Sequence, residues 1–165
     1  MLLKNHFQQA YITHNLDEAV KLFDRQFGKL DWRVLSAILP MKTPIGAREA
    51  SVRGALAWVG DLQLELIEPL SGYIDLFHTV TPADKSDATP HFHHVAVRRD
   101  DEGKMREEVA KLGLPLLFES RNDDLGLALI YVDATSVLGH YIEFVSGPQS
   151  AWDLFGWPEG KAVLP

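Results

Sequence analysis

Two glutamates, Glu65 in LQLELIE and Glu143 in GHYIEFV, occupy matching places in two short runs of alternating side chains. Alternation marks a strand, in which residues i and i+2 share a face. Leu62, Leu64 and Leu66 then form one face and Gln63, Glu65 and Ile67 the other, while Ile142 and Phe144 oppose Tyr141, Glu143 and Val145. A carboxylate facing solvent would be ordinary, because Glu is rarely buried. Two at equivalent positions on a cupped face are different: desolvation costs several kcal/mol per ion unless a cation offsets it. His94, in HFHHVAV, shares a strand face with Phe92 and Ala96, and Gln8, in FQQAYIT, shares one with Ala10 and Ile12. One imidazole nitrogen, one amide oxygen and two carboxylates form a mixed donor set without thiolate. Such a set suits an octahedral divalent ion, Zn, Ni, Co, Mn or Fe, with positions left open.

Other histidines read differently. His91 and His93 make an H-x-H pair, but Val97 stands where a further carboxylate ligand would be needed, and His14, His78 and His140 fall at strand ends or in loops.

The elements that position these residues form a duplicated plan. Leu16, Ala19, Val20, Phe23 and Phe27 recur with helical spacing between Asn15, which can cap the first turn with Glu18 three residues on, and Gly28, which can end the helix. Around it lie FQQAYIT, WRVLSAIL, ASVRGALAWV and LQLELIE, giving the order β-α-β-β-β. The second half repeats it: HFHHVAV, a helix through Met105, Val109 and Leu112 to Gly113, then PLLFES, GLALIYVD and HYIEFV. Phe7 to Gly28 and Phe92 to Gly113 are both 21 residues apart, as an internal repeat requires. The expected organisation is one structural domain with a first βαβββ module at 1–70, a linker or lid at 71–90, a second module at 91–147 and a tail at 148–165. Trp152, Phe155 and Trp157 lie in that tail, outside either repeat. They read as packing against the sheet or a partner subunit, with a cover over the substrate as the alternative. The fold class expected is α+β, a curled mixed sheet with a cupped metal site.

Composition bounds the partners. Lys and Arg number 16 against 23 Asp and Glu, so 16 − 23 gives a net charge of −7, which argues against a nucleic-acid surface. With no cysteine, neither disulfides nor thiolate metal sites are possible. No apolar run reaches the roughly 18 residues of a membrane span, and MLLKNHFQQA lacks a signal peptide's features, so a cytoplasmic location is expected.

The opening QQAYITHNLDEAVKLF, the closing LELIEP of the first unit, and HHVAV and GHYIEFV in the second resemble the vicinal oxygen chelate superfamily over about residues 6 to 146. Its members include glyoxalase I, methylmalonyl-CoA epimerase, extradiol dioxygenases and bleomycin or fosfomycin resistance proteins. The resemblance implies metal ligands on the first and last strand of each module, which here are Gln8, Glu65, His94 and Glu143. At the first position Gln9 and His6 are the alternatives. It also implies a lyase, isomerase or epimerase that stabilises an enolate of a small carbonyl, thioester or hemithioacetal substrate, with Glu143 as the base and Glu65 able to exchange roles with it. An extradiol dioxygenase and a non-catalytic binding or resistance protein are the other implied readings, and a homodimer the expected assembly.

Overall fold

The structure, a computed structural model, describes residues 2–164. The first half contains β1 (His6–Ile12), α1 (Leu16–Phe27), β2 (Arg33–Thr43), β3 (Gly46–Val59) and β4 (Leu62–Gly72). The second contains β5 (His91–Arg99), α2 (Glu102–Leu112), β6 (Leu116–Asn122), β7 (Leu127–Asp133), a helical turn α3 (Thr135–Leu138) and β8 (Tyr141–Ser146), and α4 (Gln149–Leu154) follows. Asn15 caps α1 by accepting from the Glu18 N–H, and Asp101 caps α2 by accepting from Lys104. The eight strands close in the order β1-β4-β3-β2-β6-β7-β8-β5. β4 runs parallel to β1 and β8 parallel to β5, while β1 and β5 join the halves antiparallel.

Each helix covers the outside of its own half. Leu64 and Leu66 of β4 pack with Leu16, Ala19 and Phe23 of α1, and Ile142 and Phe144 of β8 with Met105 and Val109 of α2. The opposite strand faces therefore point into the barrel, as alternation predicts. β2 runs four residues past the expected end at Leu39, through Pro40. That is tolerated because β2 is nearly an edge strand: it meets β6 only at Lys42 and Glu119, so no ladder partner is lost at the missing N–H. The sparse seam leaves the barrel slit open between β2 and β6. Gly72 ends β4 with φ of +86°, where a Cβ would collide with the Glu49 carbonyl, and there the chain leaves the sheet for residues 73–90.

Two bulges depart from simple alternation. Along the β1–β5 seam the register passes from His6↔Val97 to Gln8↔Ala96, leaving Phe7 extra, and from Ala10↔His94 to Tyr11↔Phe92, leaving His93 extra. Phe92 consequently does not share the His94 face; it turns outward, 39% exposed, against Tyr11 and His140. His93 turns inward and is buried against Phe77 and Tyr141. The tail plugs one end of the barrel. Trp152 is buried edge-on to Phe7 and Trp157, Trp58 meets Trp157 edge-on, and the Arg98 guanidinium lies 4.5 Å and 4.4 Å from the Trp152 and Trp157 ring centres. Among the described residues no helix is long and apolar enough to cross a membrane.

Candidate metal centre

β4, β1, β5 and β8 lie side by side, and their register arranges the site residues in two rows. In one row Ala10 of β1 stands between Glu65 on β4 and His94 on β5. Two residues along β1, the next row holds Gln63, Gln8, Ala96 and Glu143 on successive strands. Neighbouring strands are about 4.8 Å apart and inward positions recur about every 6.6 Å. Gln8, Glu65, His94 and Glu143 therefore surround a floor made by Ala10 and Ala96, both at 0% exposure, whose methyl groups leave the centre open.

His94 Nε2 lies 3.8 Å from Glu65 Oε2 and 3.5 Å from Glu143 Oε2. One donor atom from each of the three lies within 4.8 Å of the others. Gln8 is buried beside them; its Nε2 donates to Gln63 Oε1 at 2.8 Å, which leaves the buried Gln8 Oε1 without a partner. Gln9 instead accepts from the Tyr11 hydroxyl, and the His6 ring bonds the Gln8 carbonyl. His14, His78 and His140 bond the Pro82 carbonyl, Thr81 and the Tyr141 carbonyl.

Sequence reasoning gave three neighbours no role in the site. Tyr131 pairs across β7–β8 with Glu143, stacks on Phe118 and brings its hydroxyl to 3.3 Å from His94 Nε2. Gln63 shares the Glu65 face and holds the Gln8 amide. His93 Nδ1 lies 2.9 Å from His94 Nδ1. Tyr131 belongs to an alternating run, but only the β7–β8 register places it beside Glu143. His93 depends on a bulge that no residue pattern announces.

The electrostatics suit a cation. Burial and then the neighbouring Glu143 charge push Glu65 up to about 8, and burial pushes Glu143 up to about 8 against the hydrogen bond from Tyr131. Burial lowers His94 to about 3, so its imidazole is neutral, the form a metal ligand takes. Two carboxylates, a neutral imidazole and an orphaned amide oxygen form a cluster rich in acceptors and short of positive charge. A divalent ion fits that deficit.

Above the floor a cavity of about 580 Å³ opens through the slit between β2 and β6, with Glu65, Tyr131 and Glu143 in its lining. A smaller space of about 110 Å³ lies toward Gln8, Gln63 and the tail residues Trp152 and Phe155. The groove of about 700 Å³ beside α2 is lined by surface lysines and acids and touches none of these residues.

Known proteins agree with this architecture. Residues 7–129 match the Glyoxalase/Bleomycin resistance protein/Dioxygenase superfamily. No curated protein matches. Among solved structures, methylmalonyl-CoA epimerase from Mycobacterium tuberculosis is 18% identical with a TM-score of 0.56, over 89% of this chain and 91% of its own. A methylmalonyl-CoA epimerase in complex with methylmalonyl-CoA and NH4+ is 17% identical, with a TM-score of 0.56 over 87% and 94%. A hypothetical protein from Bacillus halodurans is 17% identical, with a TM-score of 0.53 over 87% and 94%. At these identities the likeness is one of fold, and together with the match over most of its length it means that the chain belongs to the glyoxalase/bleomycin resistance/dioxygenase superfamily, the vicinal oxygen chelate proteins.

Proposed function

We propose that this protein is a metal-dependent lyase, isomerase or epimerase that moves a proton at a carbon next to a carbonyl, in a small carbonyl, thioester or hemithioacetal substrate. The observation that carries the reading is the convergence of Glu65, His94 and Glu143 at the base of a cavity, their donor atoms within 4.8 Å. Gln8 would complete the ligand set through its orphaned Oε1. When bound, Zn, Ni, Co, Mn or Fe would draw electron density from a substrate oxygen and so acidify the neighbouring carbon.

The residues then divide the work. Glu143 takes the proton, because a carboxylate raised toward neutral pH both accepts and returns one readily. Glu65 holds the same position in the other half and is the alternative base. The Tyr131 hydroxyl, beside both Glu143 and His94, fixes the carboxylate's orientation. The apolar walls keep bulk water from the carbon acid. Two histidines and one carboxylate, the usual set of an extradiol dioxygenase, are not gathered at this centre among the described residues. A homodimer is the proposed assembly, with Val34 and Ile38 of β2, 53% and 64% exposed, available for contact.

The test is elemental analysis of protein purified without chelator or nickel affinity, followed by deuterium uptake from solvent into enolisable thioesters and hemithioacetals. About one divalent ion per chain, lost in His94→Ala, and exchange abolished in Glu143→Gln with the metal retained are the expected results. Full exchange in both Glu143→Gln and Glu65→Gln would overturn the assignment of the base.

A further inference from the structure

The cavity walls and its mouth differ in a way that bears on the substrate. Leu35, Val52, Leu56, Ile67, Leu129 and Phe155 line the walls, so above the floor an occupant meets mainly hydrocarbon. Arg33 and Arg121 are the cations lining the cavity. Both are engaged: Arg33 donates to the Leu154 carbonyl, and Arg121 pairs with Glu102 at 2.8 Å and Asp123 at 2.9 Å. Asp123 and Asp124 stand at the same mouth. A phosphate or carboxylate arm would therefore have to break the Arg121 pairs or draw Arg33 off the Leu154 carbonyl, and lie against two acids on a chain whose net charge is −7. Resting on the proposed metal reading, we infer that the substrate is an uncharged molecule with an apolar body behind its carbonyl head. It is not an anionic conjugate of the methylmalonyl-CoA kind seen in one of the similar structures.

Hydroxamates, which present two oxygens to a metal, provide the test. The Co(II)-loaded protein is titrated with acetohydroxamate, 2-naphthohydroxamate and a sulfonated 2-naphthohydroxamate, and the visible spectrum is followed. The neutral naphthyl probe should bind at least tenfold tighter than either of the others. Equal or tighter binding of the sulfonated probe would overturn the inference. If the protein takes up no Co(II), the metal reading fails by itself. The substrate class is then tested by calorimetry on metal-free protein, where methyl 2-naphthoate should bind at least tenfold tighter than 2-naphthalenesulfonate, and the reverse order would overturn it.

An independent hydrogen-bond chain reaches the centre from the segment after β4. The Leu76 carbonyl lies 3.2 Å from His93 Nε2, and His93 Nδ1 lies 2.9 Å from His94 Nδ1. A carbonyl only accepts, so His93 Nε2 carries hydrogen. With its single hydrogen on Nε2, the His93 ring has a bare Nδ1 that can only accept. The proton between the rings must then sit on His94 Nδ1, and the His94 Nε2 lone pair faces Glu65 and Glu143. We propose that His93 is a positioning residue which, anchored by Leu76, locks His94 in the tautomer able to ligate a metal through Nε2.

Two variants and one spectrum test this. His93→Phe should lower Co(II) affinity, read by competition with a chromophoric chelator, by about 10- to 100-fold. His93→Gln, which can both donate and accept, should recover most of that loss. The 15N shifts of metal-free wild type should show hydrogen on His94 Nδ1 and on His93 Nε2. The opposite tautomers, or unchanged affinity in His93→Phe, would overturn the proposal. A wild type that binds no Co(II) would instead refute the metal reading, and the 15N shifts would still decide the tautomer.

Discussion

Replacing Glu143 by Gln should stabilise the metal-free protein at high pH, because it removes one of two facing negative charges. Donor atoms of Glu65 and Glu143 lie within 4.8 Å, where two unit charges repel by about 3.5 kcal/mol at an effective dielectric near 20. The Glu65 side chain is 20% exposed, and solvent screening there lowers the effect to about 2 kcal/mol. Both carboxyls are raised from 4.5 to about 8 in the folded protein. A raised pKa contributes stability that is complete below the unfolded value and lost as pH rises through the folded one. In chelator, wild type should therefore weaken from about pH 4.5 to about pH 8. Thermal unfolding at pH 9 should show Glu143→Gln melting about 4 to 8 °C above wild type, at about 2 to 4 °C per kcal/mol for a chain of this size. Near pH 4.5 the two should agree within about 2 °C, and at pH 9 saturating Co(II) should reverse their order by stabilising wild type more. Equal melting temperatures at pH 9 in chelator would refute the claim that the carboxylates face one another in a dry site.

Ala10→Leu should fill the open centre from its floor and abolish Co(II) uptake while leaving the far-UV circular dichroism unchanged. Tyr131→Phe should keep metal affinity within about threefold yet slow deuterium exchange at least tenfold, with the pH profile of exchange moved upward because Glu143 loses a donor that favours its charged form. Trp152→Ala should lower stability by about 3 to 5 kcal/mol in urea unfolding, since a fully buried ring at the centre of the aromatic plug is removed. Sedimentation should find a dimer that Ile38→Glu dissociates, if the exposed face of β2 is the contact.

Much of this geometry was legible before any coordinates. Capping at Asn15, helical spacing in α1 and the alternation around Glu65 and Glu143 are local signals, and each settles an orientation by itself. The preference for Gln8 over Gln9 rests on the family's spacing as well as on the face shared with Ala10 and Ile12, since the internal repeat alone would align Gln9 with His94. What local signals cannot contain is register between strands distant in sequence. Tyr131 faces Glu143 because β7 and β8 pair at those residues, and Phe7 and His93 turn inward because the β1–β5 seam slips twice. Phe92, assigned to the His94 face by alternation, is the residue displaced by the second slip. Phe155 reaches the cavity only because α4 folds the tail back over the barrel end.

The duplicated sheet supplies a near-symmetric frame, and the chemistry depends on where the side chains break that symmetry. Glu65 and Glu143 occupy the same place in their halves, and so do Ala10 and Ala96 on the floor. The partners do not match. Across its antiparallel neighbour Glu65 meets Leu56, whereas Glu143 meets Tyr131. On the first strand of each half, Gln8 offers the oxygen of an amide whose nitrogen donates to Gln63, whereas His94 offers one ring nitrogen while His93 bonds the other. Two carboxylates in identical settings would share their protons equally and perform identical roles. The phenol beside Glu143 favours its charged form, whereas Glu65, opposite a leucine, is the more solvent-exposed of the two. One fold repeated twice can thus hold a cation evenly while presenting a substrate with two unlike faces.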